Sequence, residues 1–248
     1  MGFSRLNPVI ATGVLMSTSG KSLDRRNFLR GSLGAVPAAL AAGMAVGGTG
    51  AAAEPPAYQP KFFTAEEWAF LRAAVDRLIP PDAEGPGAVE AGVPEFIDRQ
   101  MDTPYAQGAL WYMQGPFYEA PPELGYQMKF TPRDIYRLGI AAADRWVHDN
   151  KSGKRFAELD AATQDDLLSR MEGKKIEFPD VPANLFFGML LENTKEGYFS
   201  DPIHGGNKDM GGWKMIGFPG ARADFMDWVD QYGKPYPIGP VGISGARG

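Results

Sequence analysis

The chain has 248 residues, 25 Lys and Arg against 30 Asp and Glu, no Cys and two His. Lack of Cys excludes disulfides, thiolate zinc sites, Cys-ligated iron–sulfur clusters and CxxCH haem attachment, and a net charge of −5 offers no basic footprint for nucleic acid. With 44 % apolar and 12 % aromatic residues, a packed core is expected rather than a disordered chain.

The first 53 residues read as an address. They hold five basic groups (Arg5, Lys21, Arg25, Arg26 and Arg30) and one acid, Asp24, whereas the remainder is net acidic. Arg25-Arg26 is a twin-arginine pair with Phe28-Leu29 two residues on. An Ala/Gly-rich apolar stretch follows from Gly31 to Gly47, then Ala51-Ala52-Ala53 before Glu54-Pro55-Pro56. Charged region, apolar region and small-residue site come in the order of a secretory signal, with Ala53–Glu54 as the expected cut and Ala51 and Ala53 as its small residues. The apolar stretch is 17 residues long and contains Pro37, below the roughly 20 residues that a spanning helix needs. The twin-arginine route carries proteins that are already folded, often with a cofactor inserted. Yet no GxGxxG, GxxxxGK[ST] or HExxH motif is present. A chain that travels bound to a cofactor-carrying partner reconciles the two.

Residues 54–248 have the size of one domain. Thr64 with Glu67 has capping-box spacing, and Trp68, Leu71, Val75, Leu78 and Ile79 follow at helical intervals up to Pro80-Pro81. Pro94–Met101 and Ala106–Met113 are two further short helices, the second stopped by Gly115-Pro116. Thr131-Pro132 opens a helix running to His148, Asp160 caps one through Met171, and Pro182 opens one ending near Gly197. Ala221–Tyr232 is expected as a last helix before Gly233. No stretch alternates with period two between hairpin turns. The expected fold is therefore all-α: a single irregular helical domain with long Pro/Gly-rich loops, after a cleaved N-terminal signal. Residues 235–248 read as an irregular tail that lies along a partner or is loose.

Residues 197–220 stand apart. Seven of these 24 residues are Gly, interleaved with Tyr198, Phe199, Trp213 and Phe218. Such a composition suits an ordered loop with positive-φ turns and aromatic anchors, and is too Gly-rich for a helix. Four readings are open. Ser200, Asp201 and His204 have the types of a nucleophile–base set, although no GxSxG elbow is present. Asp201, His204, Asn207 and Asp209 have the oxygen-rich types of a cation site without EF-hand spacing. The loop is alternatively a docking surface anchored by Trp213 and Tyr198, or a structural cover over the helices.

The runs Gly197-Tyr198-Phe199-Ser200-Asp201-Pro202, Gly205-Gly206-Asn207, Gly212-Trp213-Lys214 and Gly217-Phe218-Pro219-Gly220 resemble the C-terminal signature of the gluconate 2-dehydrogenase subunit 3 family. Leu78-Ile79-Pro80-Pro81-Asp82, Gly87-Ala88 and the run Glu90 to Asp98 resemble its N-terminal stretch. The resemblance implies the small subunit of a membrane-bound sugar, polyol or sugar-acid dehydrogenase. It implies no catalytic residue, cofactor or metal in this chain, FAD in a large partner subunit and haem c in a cytochrome subunit. It also implies export through the twin-arginine translocon, read at Arg25, Arg26, Phe28 and Leu29, and a periplasmic location at the membrane through the complex. The expected partner surface is Tyr198, Phe199, Asp201, Pro202, His204, Gly205, Gly206, Asn207, Trp213, Lys214 and Phe218. The alternative is a free-standing periplasmic enzyme or cation-binding protein that uses the same loop.

Overall fold

The computed structural model describes residues 58–118 and 121–248, all within one compact unit, Pro56–Gly248. The twin-arginine run with Arg25, Arg26, Phe28 and Leu29, and the cleavage residues Ala51, Ala53 and Glu54, lie outside the described residues.

Helix α1, Ala65–Leu78, starts where Thr64 and Glu67 close a reciprocal capping box, which satisfies two of the N–H groups a helix start leaves without partners. It buries Phe70, Leu71, Ala74 and Val75 along one face. Helix α2, Val93–Gln100, follows Gly92 at φ 77° and carries Pro94 in its first turn. Helix α3, Pro132–Asn150, has the Thr131–Asp134 box, and α4, Ala161–Glu172, is capped by Asp160, which accepts from the Thr163 N–H at 3.0 Å. Helix α5, Ala183–Phe199, follows Pro182.

Helix α5 is the central element: it packs against α1, α2, α3 and α4. Its apolar side chains are therefore spread around the axis rather than confined to one stripe, as a buried helix requires. The Phe70 ring lies between Phe156 at 4.6 Å and Phe186 at 6.0 Å, and Tyr136 lies edge-on to Phe63 and Phe186. The close helix crossings depend on glycine. A Cβ on Gly139 would enter the Phe186 ring, and one on Gly197 would lie 2.8 Å from the Phe96 ring. The buried polar groups are matched: the Tyr136 hydroxyl donates to Asn193 Oδ1 at 3.0 Å, and Asn193 Nδ2 donates to Glu196 at 2.8 Å.

Among the described residues there is no strand, only isolated bridges of Val241 with Gly220 and with Arg247, so the fold over these residues is all-α. Nor is any helix there long and apolar enough to cross a membrane.

Four sequence expectations need correction. Ala106–Met113 is a series of turns, not a helix. Gly108 takes φ 73°, and the local hydrogen bonds mix three- and five-residue spans, such as Gly108 N to Tyr105 O and Ala109 N to Pro104 O. Ala221–Tyr232 contains only a 3-10 segment, Asp224–Trp228. Met226, Val229 and Tyr232 there are exposed, so among the described side chains of this stretch there is no buried face to hold an α-helix of that length. Residues 197–220 are more helical than their glycines suggest, with 3-10 turns Pro202–His204 and Lys208–Met210 and a short helix α6, Gly211–Ile216. The 235–248 tail lies along its own chain: Ala221 N donates to Val241 O at 2.7 Å, and Gly248 N to Pro240 O at 2.9 Å.

Candidate functional site

The Gly/aromatic segment closes the C-terminal end of α5, where helix carbonyls are left without intrahelical donors. Trp213 Nε1–H donates to Phe199 O at 2.7 Å, and Asn207 Nδ2 donates to Ser200 O at 2.9 Å. Asn207 Oδ1 accepts from Gly212 N–H at 2.9 Å. Asn207 is fully buried, so one side chain ties the end of α5 to the start of α6. Its φ of 46° is followed by 56° at both Asp209 and Met210. Three left-handed non-glycine residues within four positions store backbone strain that the surrounding contacts must hold. Glycines stand where the end of α5 presses in: a Cβ on Gly206 would meet Gly197 O, and one on Gly212 would meet Tyr198 O.

The segment is pinned on three further sides. The Tyr198 hydroxyl donates to Pro86 O at 2.7 Å, and burial, then the Asp82 and Glu90 carboxylates, push its phenol pKa up. Lys208 N donates to Ala91 O at 3.0 Å, and its ammonium lies 2.8 Å from Glu95, which also pairs with Arg99. The Asp201 carboxylate accepts from Ile203 N at 3.1 Å and from Ile243 N at 2.7 Å, joining the segment to the tail.

The sequence-predicted residues therefore divide by burial. Tyr198, Asp201, Gly205, Gly206, Asn207 and Trp213 are buried, and Pro202 is half-buried. Tyr198 and Trp213 are thus internal props, a correction to their expected place as surface anchors. Phe199, His204, Lys214 and Phe218 reach the surface.

Ser200, Asp201 and His204 do not form a relay. Ser200 Oγ donates to Gly197 O at 3.1 Å, the Asp201 carboxylate is occupied by the Ile203 and Ile243 amides, and the bond between these residues is the backbone one from His204 N to Asp201 O at 3.0 Å, not one between their side chains. Among the described residues, no group of three or more His, Asp or Glu is placed to hold a metal ion, and Asp201, His204 and Asp209 are therefore not gathered into one. His148 is exposed beside Asp149, 3.1 Å away.

The surface around this scaffold exposes many large apolar side chains among charged ones. Ten of the fifteen large apolar side chains exposed among the described residues fall between Phe199 and Ile243. Ile203, Met215, Ile216 and Phe218 project from the segment itself, and Met226, Val229, Tyr232, Ile238 and Ile243 from the part after it. Ile216, Trp228, Val229 and Tyr236 line a shallow groove of about 680 Å³. Sequence reading missed most of these residues. Their available signal was apolar side chains in a stretch too irregular to bury them. Leu110, Tyr112, Tyr118 and Leu124 are also exposed, beside a cleft of about 260 Å³ lined by Trp111, Tyr112, Phe117 and Tyr126. Burial there pushes the Tyr126 phenol up to about 12.

A family model described as Gluconate 2-dehydrogenase subunit 3 matches residues 65–220, more than half of the chain. The match starts at the first residue of α1 and ends at Gly220, which closes the Gly/aromatic segment. No curated protein and no solved structure matches the chain.

Proposed function

The chain belongs to the gluconate 2-dehydrogenase subunit 3 family, and from that premise we propose that it is the non-catalytic small subunit of a membrane-bound, flavin-dependent sugar, polyol or sugar-acid dehydrogenase. Its family is that of an accessory subunit of a dehydrogenase complex. In the proposal it binds a folded, FAD-carrying large subunit, stabilises it, and escorts it through the twin-arginine translocon to the periplasm. There a cytochrome c subunit takes the electrons and holds the complex at the membrane.

The observation that carries the reading is the concentration of exposed large apolar side chains between Phe199 and Ile243, on a scaffold fixed by Asn207, Trp213 and Asp201. An exposed patch of this kind, on a body with its own packed core, fits a lasting protein interface. The leader residues Arg25 and Arg26 supply the export half of the reading. A partner that binds only the native large subunit stabilises it by mass action.

Two measurements test this. Affinity capture of the tagged chain from solubilised membranes should bring down a large subunit with flavin absorbance and haem bands. A colourless chain captured alone would contradict the assembly. Replacing Arg25 and Arg26 together by Lys should leave the dehydrogenase activity in the cytoplasm. Activity that still reached the periplasm would remove the escort role.

A further inference from the structure

Residues 103–118 hold no Asp, Glu, Lys, Arg or His, the longest uncharged run among the described residues of a chain that is 22 % charged. The second half of this run meets residues 126 and 127 at the cleft of about 260 Å³. Trp111, Tyr112, Phe117 and Tyr126 give the cleft aromatic walls, and Gln114 and Gln127 give it side-chain amides. None of its described lining residues carries a charge.

The floor is fixed and the rim is open. Trp111 and Tyr126 are half-buried, with ring centroids 4.8 Å apart and planes tilted by 52°. The Tyr126 hydroxyl donates to Phe130 O at 2.5 Å, and the Trp111 ring stands edge-on to Tyr105 at 6.0 Å. Tyr105 in turn accepts from Asn193 Nδ2 of α5 at 3.3 Å, which ties the floor to the core. Tyr112 is 83 % exposed, and both glutamines reach the surface. Gln127 Nε2 donates to Leu124 O at 3.0 Å, whereas among the described residues the Gln114 amide and Gln127 Oε1 have no hydrogen-bond partner.

This lining selects by chemistry. Aromatic faces take up flat arrays of C–H groups, and an amide, donor and acceptor at once, matches hydroxyl groups, which are also both. An ion entering the cleft would give up hydration with no opposite charge to replace it. A wholly apolar ring would leave the amides unused. A neutral pyranose ring has both complementary features, C–H faces and a rim of hydroxyls. The volume, at the small end of ligand sites, suits one ring rather than a chain of them. We propose that the cleft between Trp111 and Tyr126 is a binding site for a neutral sugar, stacked on the aromatic walls and read at its hydroxyls by Gln114 and Gln127. The site lies wholly on this chain and does not rest on the assembly proposed above. Its uncharged lining favours a neutral sugar over a sugar acid.

The test titrates the purified full chain with methyl β-D-glucopyranoside and, in parallel, with D-glucuronate, which puts a carboxylate on the same ring. The NMR signals of the Trp111 indole N–H and of the Gln114 and Gln127 amides report on the cleft. They should shift together with a Kd on the order of 1 mM for the glucoside, and with a Kd about tenfold higher for glucuronate. Tyr112→Ala and Gln114→Ala, both at exposed positions, should each weaken glucoside binding by about fivefold or more and leave the denaturant midpoint in place. Cleft signals that stay put up to about 50 mM glucoside would overturn the site. Glucuronate bound as tightly as the glucoside would overturn the selectivity of the uncharged lining. Parent affinity kept in both variants would remove these residues from the site, and shifts caused by a Pro-rich peptide but not by the sugar would make the cleft a peptide site instead. Capture or loss of a flavin-carrying subunit moves none of these readouts.

Discussion

Asn207 concentrates the logic of the C-terminal segment. Its amide satisfies an orphan carbonyl at the end of α5 and an N–H at the start of α6 while its backbone sits in the left-handed region. Asn tolerates that region better than most residues. Asn207→Ala would leave Ser200 O and Gly212 N–H without this partner and add strain, for a loss of about 2–4 kcal/mol. The lost stability is read from the denaturant midpoint, and amide exchange at Gly212 should rise in step. An unchanged midpoint would mean that the segment is not held through this side chain. The sequence marked the right stretch here, because dense glycine among aromatics is a local signal. It did not tell inside from outside. Whether Tyr198 and Trp213 face the core or a partner depends on where Pro86 and the end of α5 lie, which is tertiary information. Asn207 was read as a cation ligand or a partner contact, and its two backbone partners were not legible.

At the level of elements, the helices that were legible are those with chemical punctuation at their starts: Thr64 with Glu67, Thr131-Pro132 with Asp134, Asp160 and Pro182. The two that were not, Ala106–Met113 and Ala221–Tyr232, had apolar spacing without a cap or a buried face, and spacing alone does not make a helix. Packing between elements rests on glycine contacts that sequence cannot locate. Gly139→Ala would drive a methyl group into the Phe186 ring between α3 and α5. Overpacking of this kind costs about 1–3 kcal/mol, against the modest gain in helix propensity that alanine brings elsewhere. A lowered melting midpoint should result, and a raised one would mean that the crossing relaxes freely. Helices α1 and α4 are also joined by Arg77 and Asp165 at 2.8 Å. The Arg77 hydrogen bond holds the Asp165 carboxyl below its ordinary value. A depressed carboxyl contributes stability above the ordinary carboxylate range and loses it as the pH falls through that range. Both side chains are partly exposed, so the contribution is about 0.5 kcal/mol. Asp165→Asn should therefore lower the urea midpoint slightly at neutral pH and leave it unchanged near pH 2. An equal loss at both pH values would indicate packing rather than charge.

For the whole molecule, the decisive contrast is between a well-satisfied interior and an apolar C-terminal surface. The core around α5 needs no further cover, since Phe70, Tyr136, Phe186 and Leu190 are already sealed. Ile216 and Phe218, at 57 % and 45 % exposure, belong instead to a surface that the chain does not bury by itself. If that surface serves a partner, removing its apolar character should separate binding from folding. Ile216→Asp combined with Val229→Asp changes two exposed side chains of the groove and spares Phe218, whose ring packs on Trp213 at 5.2 Å, so helicity and the melting midpoint should stay within about 0.5 kcal/mol of the parent. Capture of the flavin-carrying subunit should weaken by about tenfold or more, because apolar and aromatic residues at an interface centre carry most of its energy. The isolated variant should also self-associate less than the parent, since the exposed patch is then broken by charge. Full capture together with an unchanged midpoint would move the docking surface away from this face and towards the Trp111–Tyr126 cleft, where exposed Tyr112 and Leu110 form the next apolar patch.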